Sequence, residues 1–185
     1  MNRIVKMVLT LTVLGLISGI ALSMVSNYTD PLIKQNQQEA LREAVFYVIQ
    51  STEEYEERTV DDKVIYESYG SSGDLEGYAF TASGGGYQGT IELMVGVGSE
   101  LNEVKGIEIL ASEETPGLGG KIRGEDFKNQ FRGLEAGNGV GLVKSESPDE
   151  GEIQAITGAT ISSKAVVDIV NKELSQVRDL LSRSE

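Results

Sequence analysis

A chain of 185 residues has room for one domain with a real core and one appendage. Its 16 basic and 29 acidic residues give a formal charge of −13, which argues against nucleic acid as a ligand and repels anionic headgroups. There is no cysteine and no histidine, so disulfides, cysteine-held iron-sulfur clusters, thiolate zinc sites and His-ligated haem are excluded; a redox role would need an organic cofactor.

The appendage comes first. Met7 to Val25 holds no charged residue, and its 19 positions approach the roughly 20 that a helix needs to cross about 30 Å of hydrocarbon. A membrane-spanning helix is therefore expected at 7–26, behind a cytoplasmic stub at 1–6, with lipid as its surroundings. Arg3, Lys6 and the small-residue run Ala21-Leu22-Ser23 also fit a cleaved signal peptide, but the stretch exceeds the usual length of such a region and favours retention. The positive-inside tendency keeps Arg3 and Lys6 in the cytoplasm. The chain is then expected to cross the cell membrane once and to hold its domain on the extracytoplasmic face. Two basic residues precede the span and every acidic one follows it, which leaves the part beyond at −15. Gly15, Gly19 and Ser23 share one helix face, a small-xxx-small pattern that suits a second membrane helix, although membrane helices are rich in such residues anyway.

Residues 27–62 read as a juxtamembrane helix and linker. Asp30-Pro31 favours a break, and Leu41, Val45, Val48 and Ile49 repeat at helical spacing over 35–50. Thr52 to Asp62 is acidic and irregular. The domain proper, 63–185, opens with candidate strands at 64–69, 77–82, 90–97 and 104–110. In the third, Ile91, Leu93, Val95 and Val97 alternate with Glu92, Met94 and Gly96, the pattern of a strand buried mainly on one face. Gly84 to Gly89 lacks the strand-to-helix context and lysine of a phosphate loop and reads as a flexible hairpin. Phe127 and Phe131 are core anchors of a short helical piece, and Val166, Ile169, Val170, Leu174, Val177 and Leu181 form the stripe of a C-terminal helix. The fold class expected is α+β: a membrane helix, then a mainly antiparallel twisted sheet with helices packed on one side.

Two motifs carry chemistry. In Glu114-Thr115-Pro116-Gly117-Leu118-Gly119, proline fixes φ and the glycines allow conformations closed to other residues, so a rigid turn should present Thr115 and Leu118. In Ile156-Thr157-Gly158-Ala159-Thr160-Ile161-Ser162-Ser163, hydroxyls and a glycine turn stand where an amphipathic helix begins. Free N–H groups and the positive dipole end there favour an anion. Read without context, the first is a surface turn and the second a serine-capped helix start.

Together and in this order, the two runs resemble the ETPGLG and (S/T)GATxS/T motifs of the FMN-binding domain family. That family includes the G subunit of the Rnf complex and the C subunit of the sodium-pumping NADH:quinone reductase. The resemblance implies that Thr160 carries FMN through a phosphoester bond installed by a flavin transferase acting on FAD. It further implies that Thr157, Gly158, Ala159, Ser162 and Ser163 surround the phosphate, and that Glu114, Thr115, Gly117 and Leu118 line the flavin ring. It leaves open whether the Gly84–Gly89 hairpin also edges the pocket. Many relatives carry a histidine just before ETPGLG, and with none here an imidazole proton relay is excluded. The wording ITGATISSKAV is closer to the Rnf protein, which implies an electron carrier held among the membrane subunits of an ion-translocating ferredoxin:NAD+ oxidoreductase. The alternatives are a flavin carrier of the quinone-reductase type and an unflavinylated extracytoplasmic binding module. A hydrolase using Ser162 or Ser163 is disfavoured, because no histidine is present and Ser163 is adjacent to Lys164.

Overall fold

The computed structural model describes residues 2–144 and 147–184. They form two compact units, one up to Ala40 and one from Leu41 on. The first is the larger part of helix α1 (Arg3–Val48), which is long and apolar enough to cross a membrane by length and composition. Its apolar side chains are exposed, Leu11, Leu14, Ile17 and Leu22 among them. The break expected at Asp30-Pro31 does not occur, and Pro31 lies inside the helix. A proline there removes one N–H bond and crowds the preceding turn, an expense that a long helix absorbs when its neighbouring turns stay bonded. The Thr29 hydroxyl adds a bond to Val25 O at 2.7 Å on this turn.

From Leu41 on, the last turns of α1 are followed by strands β1 (Glu54–Val60), β2 (Lys63–Tyr69), β3 (Leu75–Gly85), β4 (Thr90–Gly98) and β5 (Glu103–Ser112). Next come a 3-10 turn (Gly119–Arg123), a short α2 (Glu125–Lys128), β6 (Leu134–Glu135), β7 (Gly141–Val143), β8 (Glu152–Gln154) and α3 (Thr160–Ser184). The first six strands make one antiparallel sheet in chain order, and β7 and β8 pair in parallel. The expected strands all appear, each longer than read. The stretch expected to be irregular at 52–62 instead holds β1. Its side chains are mostly exposed, so an apolar period never shows, yet Asp61 and Asp62 with φ of 46° and 64° form the tight turn that hairpins favour.

The sheet is covered on both faces, not one. On one face Ile65, Phe80, Leu93 and Val95 meet the α3 stripe, where Val166, Val170 and Val177 are fully buried. At about 1.5–3 kcal/mol for each buried aliphatic side chain, this packing, more than helix propensity, fixes α3 and hence its first residue, Thr160. On the other face Ala44, Val45, Val48 and Ile49 of α1 meet Tyr66, Ala79 and Met94. The cross-strand pair Gly96 and Gly106 leaves a notch for the end of α1, since a Cβ on Gly96 would stand 2.7 Å from Val48 Cγ2 and one on Gly106 3.0 Å from Val48 O. That second core is why β4 is buried on both faces. Phe127 and Phe131 are core residues in edge-to-face contact, with ring centroids 5.6 Å apart.

Candidate functional site

Beyond β5 the two glutamates diverge. Glu113 continues the ladder, its N–H donating to Thr90 O and its carboxylate accepting from Thr90 N, both at 3.1 Å. Glu114 turns inward and is 6% exposed. Its Oε1 accepts from the N–H groups of Tyr87 and Gln88 at 2.6 and 2.9 Å, and its Oε2 accepts from the Ser162 hydroxyl at 2.5 Å. Burial works to raise this carboxyl. Hydrogen bonds from Ser162 and the backbone of Gln88, Tyr87 and Gly89 outweigh it and hold Glu114 below the usual carboxylate range. The three segments of the site, the β3–β4 loop, the Glu114–Gly119 run and the start of α3, are thus joined at one side chain.

Two of these segments also carry hydrogen bonds of their own. Thr115 O accepts from Leu118 N at 3.2 Å and Gly120 N at 3.0 Å, and Gly117 has a φ of 79°, which proline before it and glycine at this place make favourable. Thr115 Oγ1 donates to Gln88 Oε1 at 2.9 Å. At the other motif Ala159 N donates to Ile156 O at 2.9 Å around Gly158, whose φ is 82°. The Ser163 hydroxyl accepts from Ile156 N at 3.1 Å and donates to Ala159 O at 3.0 Å, which ties the turn to the helix it introduces.

This arrangement separates the expected site residues. Thr160 is the first residue of α3, partly exposed, and its hydroxyl has no hydrogen bond among the described residues. Around it the N–H groups of Thr160, Ile161 and Ser162 have no earlier helical carbonyl to bond, while Ser163 N donates to Ala159 O at 2.9 Å. Thr157 and Gly158 are exposed beside it, and Ala159 is buried. Ser162 and Ser163, expected around the phosphate, are both buried, and their hydroxyls are engaged by Glu114 and Ala159. Glu114 likewise points into the protein, while Thr115, Gly117 and Leu118 are exposed. The Gly84–Gly89 segment, expected to be flexible, is held at both Tyr87 and Gln88.

Sequence reasoning missed Tyr87 and Ile161. Of the four large apolar side chains described as exposed from Leu41 on, Tyr87, Leu118 and Ile161 lie on the three segments that Glu114 joins; Val64 is the fourth. An exposed aromatic inside a glycine loop was the available signal. Beside Ile161 a shallow groove of about 370 Å3 runs between Gly84, Gly85 and Gly86 of the β3 end and Lys164, Ala165 and Asp168 of α3. A wider groove of about 1010 Å3 lies along β1 and β2, but Glu53, Glu54 and Glu56 line it and disfavour an anion. A free hydroxyl at a helix start, with exposed apolar side chains on the joined segments, fits a phosphate monoester that bears a flat aromatic ring, as FMN does.

Comparison with known proteins supports FMN as the ligand. A family model described as an FMN-binding domain matches residues 86–175, a span that runs from the β3–β4 loop into α3. The G subunit of the ion-translocating oxidoreductase complex of Methanosarcina acetivorans is 31% identical over 95% of this chain and 95% of its own. The G subunit of the proton-translocating ferredoxin:NAD(+) oxidoreductase complex of Clostridium ljungdahlii is 31% identical over 95% of this chain and 92% of its own. The fold is shared with the crystal structure of Shewanella oneidensis NqrC, at a TM-score of 0.56 and 18% identity over 69% of this chain and 67% of that one. Identity at this level along nearly the whole length of both sequences means that the chain belongs to the G-subunit family of ion-translocating oxidoreductase complexes.

Proposed function

We propose that this chain carries FMN covalently on Thr160 and passes electrons within an ion-translocating ferredoxin:NAD+ oxidoreductase complex. The observation that carries the reading is the Thr160 hydroxyl, unbonded among the described residues at the first turn of a helix whose stripe is locked into the core. In the attachment, Thr160 Oγ1 bonds to the FMN phosphorus of FAD while the pyrophosphate bond breaks. AMP leaves, and the hydroxyl proton passes to the flavin transferase that brings the FAD. The first-turn N–H groups and the exposed Thr157 and Gly158 then hold the phosphate, and Thr115, Gly117, Leu118, Tyr87 and Ile161 screen the ring from water. Bound there, FMN would supply reversible electron acceptance, which no side chain of this chain can provide. Ser162, Ser163 and Glu114 brace the site from behind. A tether suits a carrier, because the cofactor stays in place when its redox state changes.

Residues 7–26 anchor the chain in the membrane among the other subunits, and the compact unit from Leu41 on, β1 and the end of α1 included, is the FMN domain. The names of the Methanosarcina and Clostridium relatives support the complex; the likeness to NqrC is one of fold, and a quinone-reductase carrier is the second reading. Protein made together with a flavin transferase should show one FMN-sized addition on the peptide holding Thr160, and remain yellow after denaturation. Thr160→Ala should abolish the addition and lower stability by no more than about 1 kcal/mol, the usual scale for a helix-start hydroxyl. A wild-type peptide without the addition would overturn the proposal.

A further inference from the structure

Glu114 presents a problem in energetics. It is a buried carboxylate with no ion pair among the described residues, held by neutral donors alone. Such a group is a poor way to stabilise a fold, since desolvating an ion is unfavourable and an apolar side chain would fill the space more cheaply. Its surroundings are nevertheless built for it. A Cβ on Gly86 would collide with Oε1, and a Cβ on Gly119 would collide with Oε2 and approach Ser162 Oγ at 2.6 Å. Each oxygen is backed by a glycine, and its donors come from two segments far apart in the sequence.

We propose that Glu114 is the positioning residue of this site: its carboxylate clamps the β3–β4 loop and the first turn of α3 onto the Thr115–Leu118 turn, so that Thr160 is presented for modification before any flavin arrives. The inference rests on Thr160 being the acceptor, and it reassigns Glu114 from lining the ring to organising the segments that do. Two carboxylate oxygens can accept several bonds at once, and no uncharged apolar side chain can join three segments in this way. A flexible acceptor would reach the reactive geometry only a fraction of the time, and modification would slow by that fraction.

The experiment uses the full chain in detergent. Wild type, Glu114→Gln, Glu114→Ala, Gly119→Ala and Ser162→Ala are incubated with flavin transferase and FAD, and the rate of FMN addition is read by intact mass. Amide hydrogen exchange is read at Tyr87 and Gln88 in unmodified protein. Glu114→Ala and Gly119→Ala should be modified at least about tenfold more slowly, equivalent to about 1.4 kcal/mol, with Tyr87 and Gln88 exchanging faster. Ser162→Ala loses only the bond from α3 and keeps those from the β3–β4 loop, so it should fall between these and wild type. Glu114→Gln keeps an acceptor for Tyr87 and Gln88 and a donor for Ser162, and should restore most of the rate. That rescue separates a clamp from general loss of structure, and Gly119→Ala tests it by crowding the Glu114 carboxylate while leaving the glutamate itself in the sequence. Full-rate modification of Glu114→Ala, or unchanged protection at Tyr87 and Gln88, overturns the clamp alone. A wild-type chain that takes no FMN at Thr160 overturns the acceptor reading, and with it the purpose given to the clamp.

Discussion

At the scale of single residues, the site divides into groups that face a ligand and groups that hold them. Thr160, Thr157 and Leu118 face outward, whereas Glu114, Ser162 and Ser163 are spent on protein partners. Leu118 shows what the outward set can do. It is exposed on a rigid turn, so replacing it should leave both the fold and the modification of Thr160 intact. Leu118→Asp sets a negative charge beside the ring and makes each added electron less favourable, so the midpoint potential should fall. Unit charges about 6 Å apart interact by roughly 0.7–3 kcal/mol for effective dielectric constants between about 80 and 20. Redox titration of the modified variant against wild type measures the shift, and coincident titrations would mean that Leu118 is remote from the flavin.

At the scale of elements, the end of α1 belongs to the sheet it packs on. Val45 and Val48 are fully buried, and Tyr47 lies between Lys128 and Arg132, whose cationic groups stand 4.5 and 4.7 Å from its ring centroid. Lys128 also bridges Glu108 and Glu125 at 2.6 and 2.7 Å. Burial works to lower the lysine, but these partners and Tyr47 prevail and hold it above its ordinary value. The Gly96–Gly106 notch makes this docking specific. Gly96→Ala would push a methyl against Val48 and Ile49, and overpacking of this kind costs about 1–3 kcal/mol. Gly98→Ala is the control, because its Cβ would meet nothing closer than Lys105 Cε at 3.4 Å. Urea unfolding of both variants should separate them by that amount, and equal stabilities would show that the end of α1 does not need the notch.

At the scale of the whole molecule, the charges that flank the apolar run bear on which side of the membrane holds the domain. Arg3 and Lys6 argue for a cytoplasmic N-terminus and an external domain. The chain has no cysteine, so a single introduced thiol reports its own location. Ser71→Cys, exposed in the β2–β3 turn, should react with a membrane-impermeant maleimide in intact cells, and Asn2→Cys only after permeabilisation. The opposite pattern would invert the topology.

Sequence by itself determined the elements whose signal is local. An uncharged apolar run, a helical stripe from Val166 to Leu181, strands with alternating apolar residues and two glycine-punctuated motifs are all legible because each depends on neighbours a few positions away. The acidic edge strand β1 escaped because its side chains face water and carry no apolar period. The second core escaped because Gly96 and Gly106 act by what they leave empty, and only the packed α1 shows what fills the space. Tertiary structure alone decided the inward roles of Glu114 and Ser162, whereas both bonds of Ser163 stay within its own turn, to Ile156 and Ala159. The partners of Glu114 and Ser162 are brought together from residues 87, 88, 114 and 162 by the sheet and α3. A side chain's residue type states which bonds it can make, and the fold states which partners come within reach.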